Sequence, residues 1–329
     1  MISRRRLVSL VVLGALGAPR AVPGQGRKVA RVGVLSPFSS TSGPAPSFQV
    51  LRDRLDQLGH VEGETIVFEY QWADGRYERL PTLAAEIVRS KVDVMLTAWS
   101  TPAALAAKRA TSTIPIVFIG VGDAVGVGLV GSLARPGGNV TGSTFLSEQT
   151  VGKQLQLLKE IVPRVSRIAT LFNPANPVYG PMLKDIEAQG RSIDVRVVRL
   201  GIQGPGDVEA AFEAALRERV ECLVVLRDFV LVTYRERLVA LAAKHRLPVM
   251  YGMREFVDGG GLMSFEPSIP EMHRRAADLV DKILRGARPT ELPVEQSSRF
   301  ELVVNLKTAR ALGLKIPPVV LIRADHVIE

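Results

Sequence analysis

A chain of 329 residues, 47% hydrophobic and 23% charged, is too long for one small core and has room for two lobes of roughly 100–200 residues each. Its 42 basic and 33 acidic residues give a formal charge of +9, but without Arg4, Arg5, Arg6 and Arg20 the balance is 38 to 33, scattered as in "LRDRLD" and "FEAALRERVE", which excludes the basic stripe of a nucleic-acid binder. A lone cysteine, Cys222 in "ECLVVL", excludes an internal disulfide, and His60, His245, His273 and His326 lie too far apart to make a metal site.

The first 26 residues, "MISRRRLVSLVVLGALGAPRAVPGQG", run from arginines through an apolar stretch at 7–16 to small residues and prolines. That order is an export signal, and Ser3-Arg4-Arg5 also admits the twin-arginine route. The apolar stretch is well short of the roughly 18 residues of a membrane-spanning helix. A mature chain is expected to start near Arg27 and to work outside the cytoplasm, in the periplasm.

From there strands and helices alternate. Short apolar strands are read at 30–35, 65–70, 92–98 and 114–120, and helical spacing at 47–59, 79–90 and 101–110. Thr101-Pro102 supplies a capping hydroxyl and a proline at the start of the last helix. The alternation then restarts. Helices are read at 149–162, 178–190, 207–218 and 233–245, and strands at 167–172, 193–200, 221–226 and 248–252. Strands alternating with helices imply parallel sheets covered on both faces, and two such sets imply two doubly wound lobes. The remainder, with strands at 260–265 and 300–306 and a long helix at 269–286, adds to the edges of those lobes. The expected fold is therefore α/β, two doubly wound parallel-sheet lobes joined by three hinge crossovers near residues 143, 260 and 292. Lobe one takes residues 27–143 plus about 260–290, and lobe two takes 144–259 plus about 297–329.

Residues 126–131 read GVGLVG, the G-x-G-x-x-G spacing of dinucleotide loops. A working loop of that kind follows its strand at once and opens a long helix. Here "VGDAV" intervenes, and "SLAR" leads straight to Pro136-Gly137-Gly138. The glycines read better as a tight turn beside a cleft, and no nucleotide or other cofactor is expected.

Six stretches carry a resemblance: "WADGRYERLPTLAAEIV", "TPAALAAKRATSTIPIVF", "VGDAVGVGLVGSLARPGGNVTG", "LFNPANP", "REFVDGGGLMSF" and "FELVVNLKTARALGLKIPP". Spread over residues 28–329, they closely resemble the ABC-transporter substrate-binding family whose better-known members bind tryptophan or tyrosine. The resemblance implies a type I periplasmic-binding-protein fold, two lobes closing on a small-molecule ligand, and an ABC permease of the inner membrane as partner. Trp99 stands where that family commonly has glycine, and Arg227-Asp228-Phe229 stands where it commonly has Pro-Asp-Pro. Both departures fall at expected cleft positions, so the relatives' ligand does not carry over.

Ligands of open parallel sheets bind outside the carboxyl ends of the strands. Lobe one then offers Ser36, Ser39, Ser40 and Thr41 after its first strand, Trp99, Ser100 and Thr101 after its third, and Gly122 and Asp123 after its fourth. Lobe two offers Asn173 and Asn176, then Asp228, then Tyr251 and Glu255. Each has a plainer reading. Ser39, Ser40 and Thr41 serve as turn residues, Ser100 and Thr101 as helix caps, and Trp99 as core. Asp123 and Asp228 cap turns, and Asn173 and Asn176, beside prolines, form them. As ligand groups, Trp99 supplies a stacking face, Ser100 and Thr101 a carboxylate site, and the two aspartates partners for an ammonium or hydroxyls. Trp72 and Tyr77 are expected to shape the entrance. No G-x-S-x-G is present and no histidine falls on an expected rim, so nothing activates a nucleophile. The favoured reading is a monomeric solute receptor. The alternatives are a ligand-sensing module for a signalling partner and a doubly wound transferase.

Overall fold

The computed structural model describes residues 29–39, 46–145 and 147–329; the export signal, Ser40 and Thr41 lie outside them. In chain order the first set of elements is β1 (Ala30–Ser36), α1 (Pro46–Gln57), β2 (Ile66–Trp72), α2 (Leu80–Arg89), β3 (Val94–Ala98), α3 (Thr101–Ala110), β4 (Ile116–Gly122) and β5 (Val140–Phe145). The second set is α4 (Ser147–Ile161), β6 (Arg167–Phe172), α5 (Tyr179–Ser192), β7 (Arg196–Gly201), α6 (Pro205–Arg217), β8 (Cys222–Val225), α7 (Phe229–Thr233), α8 (Arg235–Lys244), β9 (Val249–Tyr251), α9 (Arg254–Asp258) and β10 (Met263–Pro267). The chain ends with α10 (Ile269–Leu284), β11 (Glu295–Gln296), β12 (Phe300–Asn305), α11 (Leu306–Ala311), α12 (Pro318–Arg323) and β13 (His326–Ile328).

Two sheets result, ordered β11-β5-β4-β3-β1-β2 and β13-β12-β10-β9-β8-β6-β7. The pairings are parallel except β10 with β12. Short, fully buried strands such as VMLTA in β3 and CLVV in β8 are what a sheet covered on both faces requires. Four buried clusters supply the cover. In the first lobe one cluster includes side chains of α1 and α10, and the opposite one side chains of α2 and α3. In the second lobe α4 and α5 pack one face, and α6, α8 and α9 the other.

The β10 strand corrects the expected division of the chain. That division places residues from about 260 in lobe one, but β10 sits in the second sheet beside β9. The link through α9 is a short βαβ crossover, which sets successive parallel strands side by side. After β10 the chain returns to the first lobe with α10, which packs on α1 and β4, and with β11, which pairs with β5. The second passage between lobes therefore falls at Ser268, not near 260. The third runs between β11 and β12, and β12 enters its sheet antiparallel to β10.

Both sheets repeat one winding. In each, the first strand of the set lies between the second and the third, as β2-β1-β3 and β7-β6-β8. Successive connections leave that first strand in opposite directions along the sheet, which opens a crevice at its carboxyl end. The crevice is bordered by Ser36 and Trp99 in one lobe and by Asn173 and Arg227-Asp228 in the other.

Candidate functional site

Trp99 follows β3 with φ at 57°, the left-handed region that costs an L-residue about 1–2 kcal/mol. Its N–H donates to the Ile119 carbonyl at 2.7 Å. Gly120 makes room for the indole: a Cβ there would stand 2.2 Å from the ring, and Gly120 itself has φ at 67°. A glycine at position 99 would take this backbone freely, so the tryptophan is held at a cost. Arg227 of the second lobe covers it, with the guanidinium carbon 4.3 Å from the ring centroid. His273 from α10 adds a ring contact at 5.7 Å.

The Arg227 side chain is 11% exposed. Its Nη1 donates to Glu266 Oε2 at 2.5 Å and to the Gly252 carbonyl at 3.3 Å. Glu266 Oε1 accepts from the Arg254 N–H at 2.9 Å. Burial pushes the Glu266 carboxyl up, and the Arg227 charge opposes that. The backbone of Arg227 is fixed by the Tyr179 hydroxyl, which donates to its carbonyl. Nε of Arg227 is buried and has no hydrogen-bond partner among the described residues.

Asp228 is 3% exposed and is the centre of a lobe-two network. Its Oδ1 accepts from Asn173 Nδ2 at 3.1 Å and from the Val230 N–H at 2.9 Å, which caps α7. Its Oδ2 accepts from Asn176 Nδ2 at 2.9 Å. The fourth donor crosses between lobes: the Tyr77 hydroxyl lies 3.3 Å from Oδ1. Burial pushes this carboxyl up even so, with the four donors opposing. Burial, followed by the Asp228 charge, also pushes the Tyr77 phenol well up. A second contact between lobes is the edge-on pair Phe38–Phe229, centroids 4.4 Å apart.

The other expected rim residues divide. Thr101 and Gly122 line a cavity of about 30 Å³ with Trp99, Asn176 and Arg227, room for about two waters. Ser100 caps α3, accepting from the Ala103 N–H at 3.1 Å. Ser36 accepts from the Phe38 N–H at 3.1 Å and lines an aromatic pocket of about 20 Å³ with Phe48, Tyr70, Trp72 and Trp99. Ser39 is half-buried after β1. Asp123 turns inward, Oδ1 accepting from the Gly126 N–H at 2.8 Å. That bond takes an amide which a dinucleotide loop would offer to phosphate, and residues 124–128 form turns, not a helix. Glu255 is exposed on α9.

Tyr251 is a correction. It lies in the second lobe's core, 1% exposed and stacked on Phe256 at 4.7 Å. Alternation along β9 turns Val249 and Tyr251 toward the α6–α8–α9 layer, away from the crevice. Conversely, Arg227, Glu266, Tyr179 and His273 join the site without having been expected as ligand groups. The departure Arg227-Asp228-Phe229 was the signal available for the first of them; Glu266 comes from the carboxyl end of β10, a strand expected in the other lobe, Tyr179 from the first position of α5 and His273 from the interior of α10.

A family model described as ABC transporter substrate binding protein matches residues 32–328. The chain is 28% identical over 262 residues to a tyrosine-binding protein of Clostridioides difficile (strain R20291), covering 79% of this chain and 74% of that one. Among solved structures, a conserved domain protein of Vibrio cholerae is 30% identical with a TM-score of 0.84, covering 91% of this chain and all of that one. An ABC domain from Streptococcus pneumonia in complex with L-Trp is 24% identical with a TM-score of 0.82, over the same shares.

Proposed function

This chain belongs to the ABC transporter substrate binding protein family, and from that premise we propose that it is the extracytoplasmic receptor of an ABC importer, binding its ligand between the two lobes. Receptors of this family bind small molecules and work with ABC transporters; a small organic ligand fits this chain. The observation that carries the reading is the crevice itself. Trp99 and Tyr77 of one lobe meet Arg227 and Asp228 of the other, at the switch points of both sheets, where α/β folds bind ligands. A ligand touching both rims favours the closed arrangement, because only that arrangement makes all its contacts. The relatives' amino-acid ligands and the aromatic lining make amino-acid-like or aromatic compounds the first to try. A permease reading the closed lobes, a monomeric state and export through the 1–26 leader complete the proposal. Among the described residues no helix is long and apolar enough to cross a membrane.

The test is a thermal-shift screen of amino acids, aromatic acids and small amides, followed by calorimetric titration. At 100 times its dissociation constant a ligand should stabilise the protein by about 2.7 kcal/mol. Failure of every class in the screen would count against a receptor. N-terminal sequencing of the exported protein should find a start near Arg27; a mature chain that keeps residues 7–16 refutes cleavage of the leader.

A further inference from the structure

We propose that the cleft selects an organic carboxylate with a flat apolar body and no ammonium group, and that Arg227 is the residue that reads the carboxylate. The inference rests on the receptor reading and deepens it.

Three features hold the guanidinium in place. The Trp99 ring lies under it, Glu266 and the Gly252 carbonyl take Nη1, and Tyr179 pins the backbone. Both of its hydrogen bonds among the described residues therefore use one nitrogen. The Nε–Nη2 edge makes none, and Nε is buried. That edge is the fork that matches a carboxylate with two parallel hydrogen bonds. A buried donor without a partner costs about 1–3 kcal/mol, so a ligand acceptor placed there removes a penalty as well as adding a bond.

An ammonium finds no anionic counterpart. Among the described residues no acidic side chain lines the cavity. Asp228 already accepts from four donors, and Glu266 is divided between Arg227 and the Arg254 amide. The Asn176 amide is spent on Asp228 and on the Val178 N–H. Beside the Thr101 hydroxyl and Tyr179, the wall is made of Trp99, Phe145, Val178 and Met182, an apolar surface that suits a ring or a planar chain once the lobes part to admit it. The same reasoning makes the tryptophan–arginine pair a single device. A charged arginine placed over an indole keeps its in-plane donors free, which proline at 227 or glycine at 99 could not provide.

The experiment uses four probes with one ring and the same reach: 3-phenylpropionate, L-phenylalanine, phenethylamine and 3-phenylpropionamide. Calorimetric titration of the full mature chain should show 3-phenylpropionate binding at least tenfold more tightly than each of the other three. In Arg227→Lys, which keeps the charge but loses the fork, that affinity should fall at least tenfold. Because a lone change at this buried pair can unfold the protein, Arg227→Met combined with Glu266→Gln removes both charges together; it should give a native circular-dichroism spectrum and lose 3-phenylpropionate binding. Tighter binding of L-phenylalanine or phenethylamine overturns the inference while leaving the receptor reading intact. So does 3-phenylpropionate binding that survives in the double variant. Silence of all four probes overturns it as well, and the receptor reading then stands or falls on the wider screen.

Discussion

Asp228 stands where the sequence leads one to expect a ligand acceptor, and its surroundings give it a structural duty. The carboxylate joins Asn173, Asn176 and the first turn of α7, so Asp228→Ala strands three buried donors. Each unsatisfied donor costs about 1–3 kcal/mol, and partial relaxation leaves an expected loss of about 2–4 kcal/mol. Chemical denaturation should show it; a change below about 0.5 kcal/mol would mean that the network contributes nothing. His273 gives a pH signature. Its Nδ1 lies 2.9 Å from the Ile269 carbonyl, which can only accept, so Nδ1 carries the proton. Burial, helped by the Arg227 charge, pushes the ring down to about 4, against about 6.5 when unfolded. The unfolded chain therefore binds the extra proton first. Stability from this group is complete above about pH 6.5 and is lost as pH falls toward 4, on the order of 3 kcal/mol in all. Asp228 and Glu266, pushed up by burial, act in the opposite sense, so the wild-type slope is a sum. His273→Phe isolates the histidine: melting followed from pH 7 to 4 should show a smaller acid loss than wild type, and equal losses would contradict the assignment. The rim positions of Trp99 and Asn173 were legible because each follows a strand end directly, and that of Asp228 because it stands three residues beyond the end of β8. Tyr251 was not, because the side-chain alternation of a three-residue strand decides its direction.

At the scale of elements, apolar runs were enough to find β1 to β4 and β6 to β9; the inner strands are buried on both faces and have little choice of composition, and the edge strands β2 and β7 still carry a run of β-branched and aromatic residues. The β5 strand escaped. Its sequence, VTGSTF, is half polar, yet all six residues are buried. Thr141 and Thr144 donate to the Leu292 and Val121 carbonyls, so hydroxyls that looked like loop chemistry serve the core. Gly142 explains the rest: a Cβ there would stand 2.1 Å from the Phe118 carbonyl oxygen on β4. Backbone has little room to yield, so Gly142→Ala should destabilise by about 1–3 kcal/mol or more. Urea unfolding tests this; a wild-type midpoint would show that β4 and β5 are not packed this closely. The short edge strands β11 and β13 were not legible either, because two or three residues carry no period.

The whole molecule brings two lobes together through a few side chains: Trp99 on Arg227, Tyr77 on Asp228 and Phe38 on Phe229. The two-lobe plan follows from the alternation of strands and helices. The place of β10 does not, because an apolar strand fits either sheet and only the short α9 crossover assigns it. The central claim is that the crevice between these lobes is a ligand site. Its most direct test is calorimetric titration, in parallel, of wild type and Trp99→Gly with a compound that stabilises the protein. Glycine accepts the left-handed backbone at position 99 without strain, so the variant folds and lacks only the indole. The account predicts one saturable site per chain in the wild type and at least tenfold weaker binding in the variant. Equal affinity in the two, with folding intact, would place the ligand elsewhere and contradict it.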